Sequence, residues 1–288
     1  MWSERKRNYE WLLAASFPIG LMLVWQLLVN AQVMSAYAFS DPVSIFGRGA
    51  ELTMQGDLLF HLAVSLARLG GGMALGCCTG IVVAFAIYLI RSARVVVAPT
   101  LTFISNFPPV VWAPLIIAAV GVGELSKIVF IALTAALVML AATYRGLRSI
   151  DGKLIEALSL YRKPIGTRIR YLYLPGAAPY IFEGLKTAIM FGWIALLFAE
   201  MMGSQNGLGW LLWDARTFGR SADMMVALLV VGVVGKLSVD AIEVVAKHRS
   251  PWYGQNRGQS ESRKRYAASP GRERPEIQAA WFERTPAG

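Results

Sequence analysis

Along the chain, apolar residues gather into six stretches of spanning length, since a helix needs roughly 17 to 25 residues to cross a hydrocarbon core. The first is "WLLAASFPIGLMLVWQLLVN", over about residues 11–30. The others run from about Leu62 to Ile90, Val95 to Val120, Ser126 to Thr143, Ala178 to Met202 and Met224 to Ala246. This pattern predicts an all-α, polytopic membrane protein with six transmembrane helices and both termini on one side. The basic flank "SERKRNYE" resembles the start of a secretion signal, but the run behind it is long and no small-residue cleavage site closes it. A retained helix is expected there.

Between the fourth and fifth runs lie about thirty residues, too many for a simple turn between helices. Within them "KLIEALSLY" predicts a short helix with an apolar stripe of Leu154, Ile155, Leu158 and Leu160. Glu156 stands near its start, where the helix dipole favours an acid. "LPGAAP" is expected to stop the element, because proline removes backbone donors and disfavours helix in the residue before it. The prediction is a helix lying along the membrane face with one side open to a groove in a soluble partner.

Composition agrees with a lipid setting, because 56% of the 288 residues are hydrophobic and 16% charged, against about 45–50% and 25% in soluble domains. The net charge of +10 is a topology signal. Most Lys and Arg fall in the N-terminal flank, residues 91–94, residues 144–176 and the tail from Lys247, which places those segments and both termini in the cytoplasm. Nucleic-acid binding would need basic residues interleaved with stacking aromatics on a soluble module. The expected organisation is a flank at 1–10, a membrane domain at 11–247 and a basic, solvated tail at 248–288. The tail is too polar to fold alone, although "SRKRY" within it could adsorb to anionic lipid.

Chemistry-bearing motifs are sparse. Cys77 and Cys78 are adjacent within a span and are expected to pack rather than pair. His61 and His248 fall at opposite predicted faces, so no Cys/His metal cluster is expected. The same separation argues against an intramembrane serine protease, which needs Ser and His at one depth. No GxxxxGK[ST] phosphate loop occurs.

Several residues inside the spans need a reason to be there. Pro108, Pro109 and Pro114 break the third run, and either line a pathway or mark a kinked, packed helix. Gly70, Gly71, Gly72, Gly76 and Gly80 suit close helix contact. Glu200 is placed about 30 Å along a helix from Pro179, near the outer interface, as part of a gate, a contact for an outside partner or a structural pair at the rim. Lys236 and Asp240 are expected to neutralise each other one turn apart, as are Glu183 and Lys186. Arg68 has no helical partner at i±3 or i±4 and is the candidate for attracting an anionic solute. Trp210 and Trp213 suit interface anchoring. Trp193 faces either the pathway or a neighbouring helix.

The interrupting loop resembles the EAA loop of bacterial ABC-importer permeases. Glu156 and Ala157 follow that pattern, Leu158 stands where a second Ala is usual, and Arg162 stands where Gly is usual. Leu172, Leu174 and Pro175 complete the motif, and Gly166 is the alternative bend. Segments 41–76, 107–128 and 199–218 resemble, in order, further motifs of the nitrate, sulfonate and taurine type of permease. The resemblance implies a type I importer-permease fold in the bacterial inner membrane and a permease dimer. It implies two ATPase subunits docked on the loop, which bind the ATP and Mg, so this chain needs no cofactor. It also implies an extracytoplasmic solute-binding protein that delivers a sulfonate, taurine, nitrate or similar anion. Thiamine precursors are the alternative cargo, and an ATPase-independent channel or scaffold is the alternative role.

Overall fold

The protein is described by a computed structural model that covers residue 16 and residues 20–31, 40–105, 107–160 and 163–249. The expected flank at 1–10 and the tail beyond Arg249 lie outside these residues. The described residues are helical, with turns and no strand, in agreement with the expected all-α class.

The helices are α1 (Gly20–Asn30), α2 (Pro42–Gln55), α3 (Asp57–Leu89), α4 (Arg91–Ile104), α5 (Ala113–Val120) and α6 (Glu124–Arg148). They continue as α7 (Gly152–Leu160), α8 (Ile165–Arg168), α9 (Leu174–Met201), α10 (Leu208–Thr217) and α11 (Ser221–Arg249). Residues 245–288 form a separate unit, described only through the end of α11. Four stretches are long and apolar enough to cross a membrane: Asp57–Leu89, Glu124–Arg148, Ile165–Met201 and Ser221–Ala246.

Two of the six expected spans differ from these. The first is described as helix over Gly20–Asn30 and at Ser16. The third is severed rather than kinked: α4 ends at Ile104, Pro108 is extended at φ −56° and ψ 131°, and a 3-10 turn at Pro109–Trp112 leads into α5. Proline explains the break, since Pro108 and Pro109 in succession delete two donors and push the residue before each out of the helical region. Pro114 then sits in the first turn of α5, where a missing N–H costs nothing.

The fifth span corrects a different expectation. "LPGAAP" does not stop a helix; α8 passes through a π-helical turn at Ile169–Tyr173 straight into α9. Pro175 falls in the first turn of α9 and Pro179 is accommodated inside it. The wide turn just upstream already gives up regular i→i−4 bonding, so Pro175 removes little.

Helices α3, α6 and α9 pack as the centre of the bundle. A lipid-embedded chain gains no hydrophobic drive for helix association, so close van der Waals contact must supply it. Gly72, Gly76 and Gly80 provide that contact: a Cβ at Gly76 would lie 2.3 Å from the Ala132 carbonyl oxygen, and one at Gly80 2.5 Å from that of Ala136. Gly184 does the same for α9, where a Cβ would meet Ala142 at 2.5 Å. Gly70 and Gly71 face open space, so the expected packing role belongs to only part of the glycine run. Ile131, Met139, Leu196 and Leu208 are fully buried in the resulting core. Cys77 packs against that core and forms no disulfide with Cys78.

Candidate functional site: an exposed loop helix and a buried charge cluster

The resembled loop begins where α6 ends. Ser149 Oγ donates to the Gly146 carbonyl at 2.8 Å, closing the helix, and Asp151 Oδ1 accepts from the Lys153 N–H at 2.9 Å, opening α7. The predicted stripe divides in two. Ile155 packs on the cluster of Tyr88, Leu147, Tyr173 and Ala177, and Leu158 is half-buried. Leu154 and Leu160 point outward, 55% and 83% exposed, with Ala157 exposed between them at three-residue spacing. One face of α7 thus holds the helix to the bundle while an apolar ridge of Leu154, Ala157 and Leu160 stays open, flanked by exposed Glu156.

Downstream, Arg162 lies outside the described residues. Gly166 is helical within α8 and faces open space, so it makes no bend; the chain turns instead at extended Pro164, with φ −60° and ψ 155°. Leu172 packs into the Tyr88–Tyr173 cluster, and Leu174 and Pro175 are exposed at the start of α9. A Cβ at Gly176 would meet Ile150 at 2.9 Å, which ties the start of α9 to the loop's first turn.

At the other end of α9 lies a cluster of buried charge. Arg68 Nε and Nη2 donate to the two carboxylate oxygens of Glu124, each at 2.7 Å. Its Nη1 donates to Glu200 Oε1 at 2.8 Å and to the Asn206 carbonyl at 2.9 Å, and Nη2 also donates to Asn206 Oδ1. Glu200, wholly buried, accepts in addition from Ser65 Oγ at 2.8 Å and from the Gly209 N–H at 2.8 Å. Lys127 Nζ donates to Glu124 at 2.7 Å and to Ser204 Oγ at 3.1 Å. Two cations and two carboxylates therefore balance, and the hydrogen bonds repay the cost of burying Arg68, Lys127 and Glu200.

This arrangement corrects the expectation for Arg68. It is not an open cation waiting for an anion; it is 4% exposed and holds two carboxylates and a loop carbonyl. Glu200, read from sequence as a gate or rim residue, is its partner. The residues that complete the cluster, Glu124, Lys127, Ser65 and Asn206, were not singled out from sequence. Lys127 and Glu124 are three residues apart on α6, but the bonds that join Glu124, Ser65 and Asn206 to Arg68 and Glu200 span 56 to 138 positions, beyond any within-helix spacing rule. Gly207 completes the clamp: its φ is +108°, and a Cβ there would lie 2.3 Å from the Glu200 carboxylate. The His61 Nδ1 accepts the Gly207 N–H at 3.1 Å, and its ring lies 5.1 Å from that of Trp210.

A second cluster ties α2 to the start of α11. Arg48 Nε donates to the buried Asp223 at 2.6 Å, and Arg220 Nη1 reaches the same carboxylate at 3.1 Å. The remaining candidates are dispersed. The Pro109–Trp112 turn lies against α9, with Pro108 exposed beside it. Trp193 is buried beside Gly235 of α11, and its indole N–H has no hydrogen-bond partner among the described residues. Lys236 pairs with Asp240 as expected. Lys186 reaches Glu243 of α11 at 3.5 Å. Among the described residues no group of three metal-ligating side chains occurs.

Residues 76–249 match the family model described as "Binding-protein-dependent transport system inner membrane component". The chain is 28% identical over 253 residues to a putative aliphatic sulfonates transport permease protein, SsuC, of Bacillus subtilis, covering 88% of this chain and 92% of that protein. It is 25% identical over 263 residues to the taurine transport system permease protein TauC of Escherichia coli, covering 88% and 96%. The bicarbonate transport system permease protein CmpB of Synechococcus elongatus is 27% identical over 231 residues, covering 76% and 82%. Among solved structures, a chain of the inward-facing MetNI methionine ABC transporter superposes with a TM-score of 0.59 at 20% identity, covering 68% of this chain and 97% of that one. That last likeness is one of fold.

Proposed function

The chain belongs to the family of binding-protein-dependent transport system inner membrane components, and from that membership we propose that it is the permease subunit of an ATP-driven importer of a small anion. It is a transport component and not an enzyme. In this reading two partner ATPase subunits bind ATP and Mg, and an extracytoplasmic binding protein delivers the solute. A second copy of this chain completes the pathway, and both termini are cytoplasmic. The observation that carries the coupling role is the open ridge of Leu154, Ala157 and Leu160 on α7. An apolar ridge left uncovered on an otherwise anchored helix suits insertion into a groove of a soluble partner. Because Ile155 and Leu172 fasten the same segment to α6 and α9, closure of an ATPase pair would move those spans as rigid bodies.

Support for an anionic cargo comes from the relatives, whose names refer to sulfonates, taurine and bicarbonate. An aliphatic sulfonate is the proposed substrate. The test is purification of the tagged chain in mild detergent with mass spectrometry of what accompanies it, plus crosslinking from cysteines placed through residues 153–163. An ATPase at about one copy per permease supports the reading. Its absence after crosslinking returns the protein to the channel or scaffold alternative. Replacement of Glu156 by Lys, or of Ala157 by a bulky residue, is expected to leave the chain inserted but unable to stimulate ATP hydrolysis.

A further inference from the structure

At the end of the bundle that carries the loop, the last turns of α3 and α6 and the start of α4 line an open cavity of about 460 Å³ formed by Tyr88, Arg94, Val95, Tyr144 and Arg148. We propose that this cavity holds the phosphate of an anionic phospholipid from the cytoplasmic leaflet, between Arg94 and Arg148.

Two arginines and two phenols line the space, and none of the five residues carries a carboxylate. Arg94 is fixed in place: its guanidinium carbon lies 4.6 Å from the Tyr88 ring centroid, and Nε donates to the Tyr88 carbonyl at 3.0 Å. Nη2 binds the same carbonyl, which leaves Nη1 without a partner among the described residues. Arg148 is exposed and makes no ion pair among them. The two cations therefore converge on one space with donors to spare, the opposite of the saturated Arg68. Planar guanidinium groups match a phosphate's oxygens well.

What surrounds the cavity selects a lipid. Val95 in its wall is 70% exposed, and Ile90 and Val96 beside it are 52% and 71% exposed. An apolar surface next to a basic pocket offers acyl chains a wall and the headgroup a seat. Basic pockets between spans on the cytoplasmic side are where anionic headgroups bind, because that leaflet carries the negative surface potential. Tyrosine also belongs at this depth. The proposal rests on the cytoplasmic placement of this end, which is part of the function proposed above.

To test it, the full chain with its co-purifying subunits is placed in nanodiscs of mixed phosphatidylcholine and phosphatidylglycerol. Lipids retained after delipidation are then counted by native mass spectrometry. Arg148→Gln is expected to lower retained phosphatidylglycerol roughly tenfold, the loss of one charge-assisted hydrogen bond to the phosphate, and Arg148→Lys is expected to keep most of it. Arg145→Gln, at the same end but outside the cavity, is expected to lower it clearly less. Equal loss in Arg145→Gln would mean general surface attraction and would overturn the site. Displacement of the lipid by millimolar inorganic phosphate would assign the cavity to a free anion and overturn the lipid. Unchanged retention in an Arg94→Gln, Arg148→Gln double variant would also overturn it. Orientation is checked separately, by labelling Arg145→Cys in sealed cells with an impermeant thiol reagent. Labelling from outside would sink the placement, whereas failure to recover an ATPase would leave the lipid count untouched.

Discussion

Replacement of Arg68 by Met removes one side chain and strands two carboxylates of unequal need. Glu124 has a side chain 61% exposed and keeps Lys127, so its loss is small. Glu200 is wholly buried and keeps only the Ser65 hydroxyl and the Gly209 N–H. Removing one partner of a buried ion pair costs about 3 to 5 kcal/mol, because the remaining charge is uncompensated. At about 2 to 4 °C per kcal/mol for a domain of this size, the midpoint of thermal unfolding should fall by about 6 to 20 °C. Glu200→Gln alone leaves Arg68 its fork to Glu124 and should cost less, about 1 to 3 kcal/mol. In the double variant no charge is stranded at position 200, so the total should fall short of the sum by about 1 to 3 kcal/mol. The assay is thermal unfolding of all four proteins in one nanodisc composition, followed by tryptophan fluorescence. Additivity within about 0.5 kcal/mol would refute the reasoning, because it would mean that Arg68 and Glu200 do not sense each other.

Gly76→Val should destabilise by more than the usual 1 to 3 kcal/mol of an overpacked site, because its Cβ meets backbone at 2.3 Å, whereas Gly71→Ala in open space should be neutral or stabilise by up to about 1 kcal/mol. Unfolding midpoints of the two variants decide it. Asp223→Asn weakens the tie between α2 and α11, but Arg48 and Arg220 are both partly exposed and regain water, so a loss of about 1 to 3 kcal/mol is expected, read as faster amide exchange in α2. Asp41 caps α2 by accepting the Ser44 N–H at 2.9 Å. Hydrogen bonds from the Ser44 hydroxyl and N–H hold its carboxyl below the ordinary 3.8. A depressed folded value means stability present above the ordinary one and lost as pH falls through the folded one. Asp41→Ala should therefore reduce α2 protection by about 1 kcal/mol near neutrality, and parent and variant should converge in acid.

The spans were legible where one physical rule acts alone. The runs that became α3, α6 and α11 are continuous apolar stretches, and nothing else in lipid satisfies their backbone. "LPGAAP" misled because proline is costly only where an N–H is needed, and the π turn at Ile169–Tyr173 had already relaxed that need. The glycine run misled by angle: at about 100° per residue, Gly72 faces α6 while Gly70 and Gly71 turn away. Lys236 and Asp240 were readable because their partnership is one turn long. Arg68 and Glu200 were readable only as charges in need of partners, and Glu124 was not read at all. Their pairing is a property of three helices brought together, and the usable signal was that an intramembrane cation without a local partner must find a distant one.

Where the bundle is stiff and where it can give follows from the same contacts. Backbone-close glycines join α3 to α6 and α6 to α9, and the Arg68 cluster clamps all three at one end. At the other end Tyr88 of α3, Leu147 of α6 and Tyr173 and Ala177 at the start of α9 share one cluster with Ile155 of α7. Interfaces packed this closely do not deform continuously. A pull on α7 therefore reaches α6 and α9 together, and α3 must follow through its glycine contacts. The α4–α5 segment is built differently: Pro108 and Pro109 interrupt it, and Phe103, Val111 and Leu115 are 66%, 53% and 61% exposed. Its ties to the rest of the bundle are few beside those among α3, α6 and α9, so relative motion between this segment and the α3–α6–α9 body breaks few contacts.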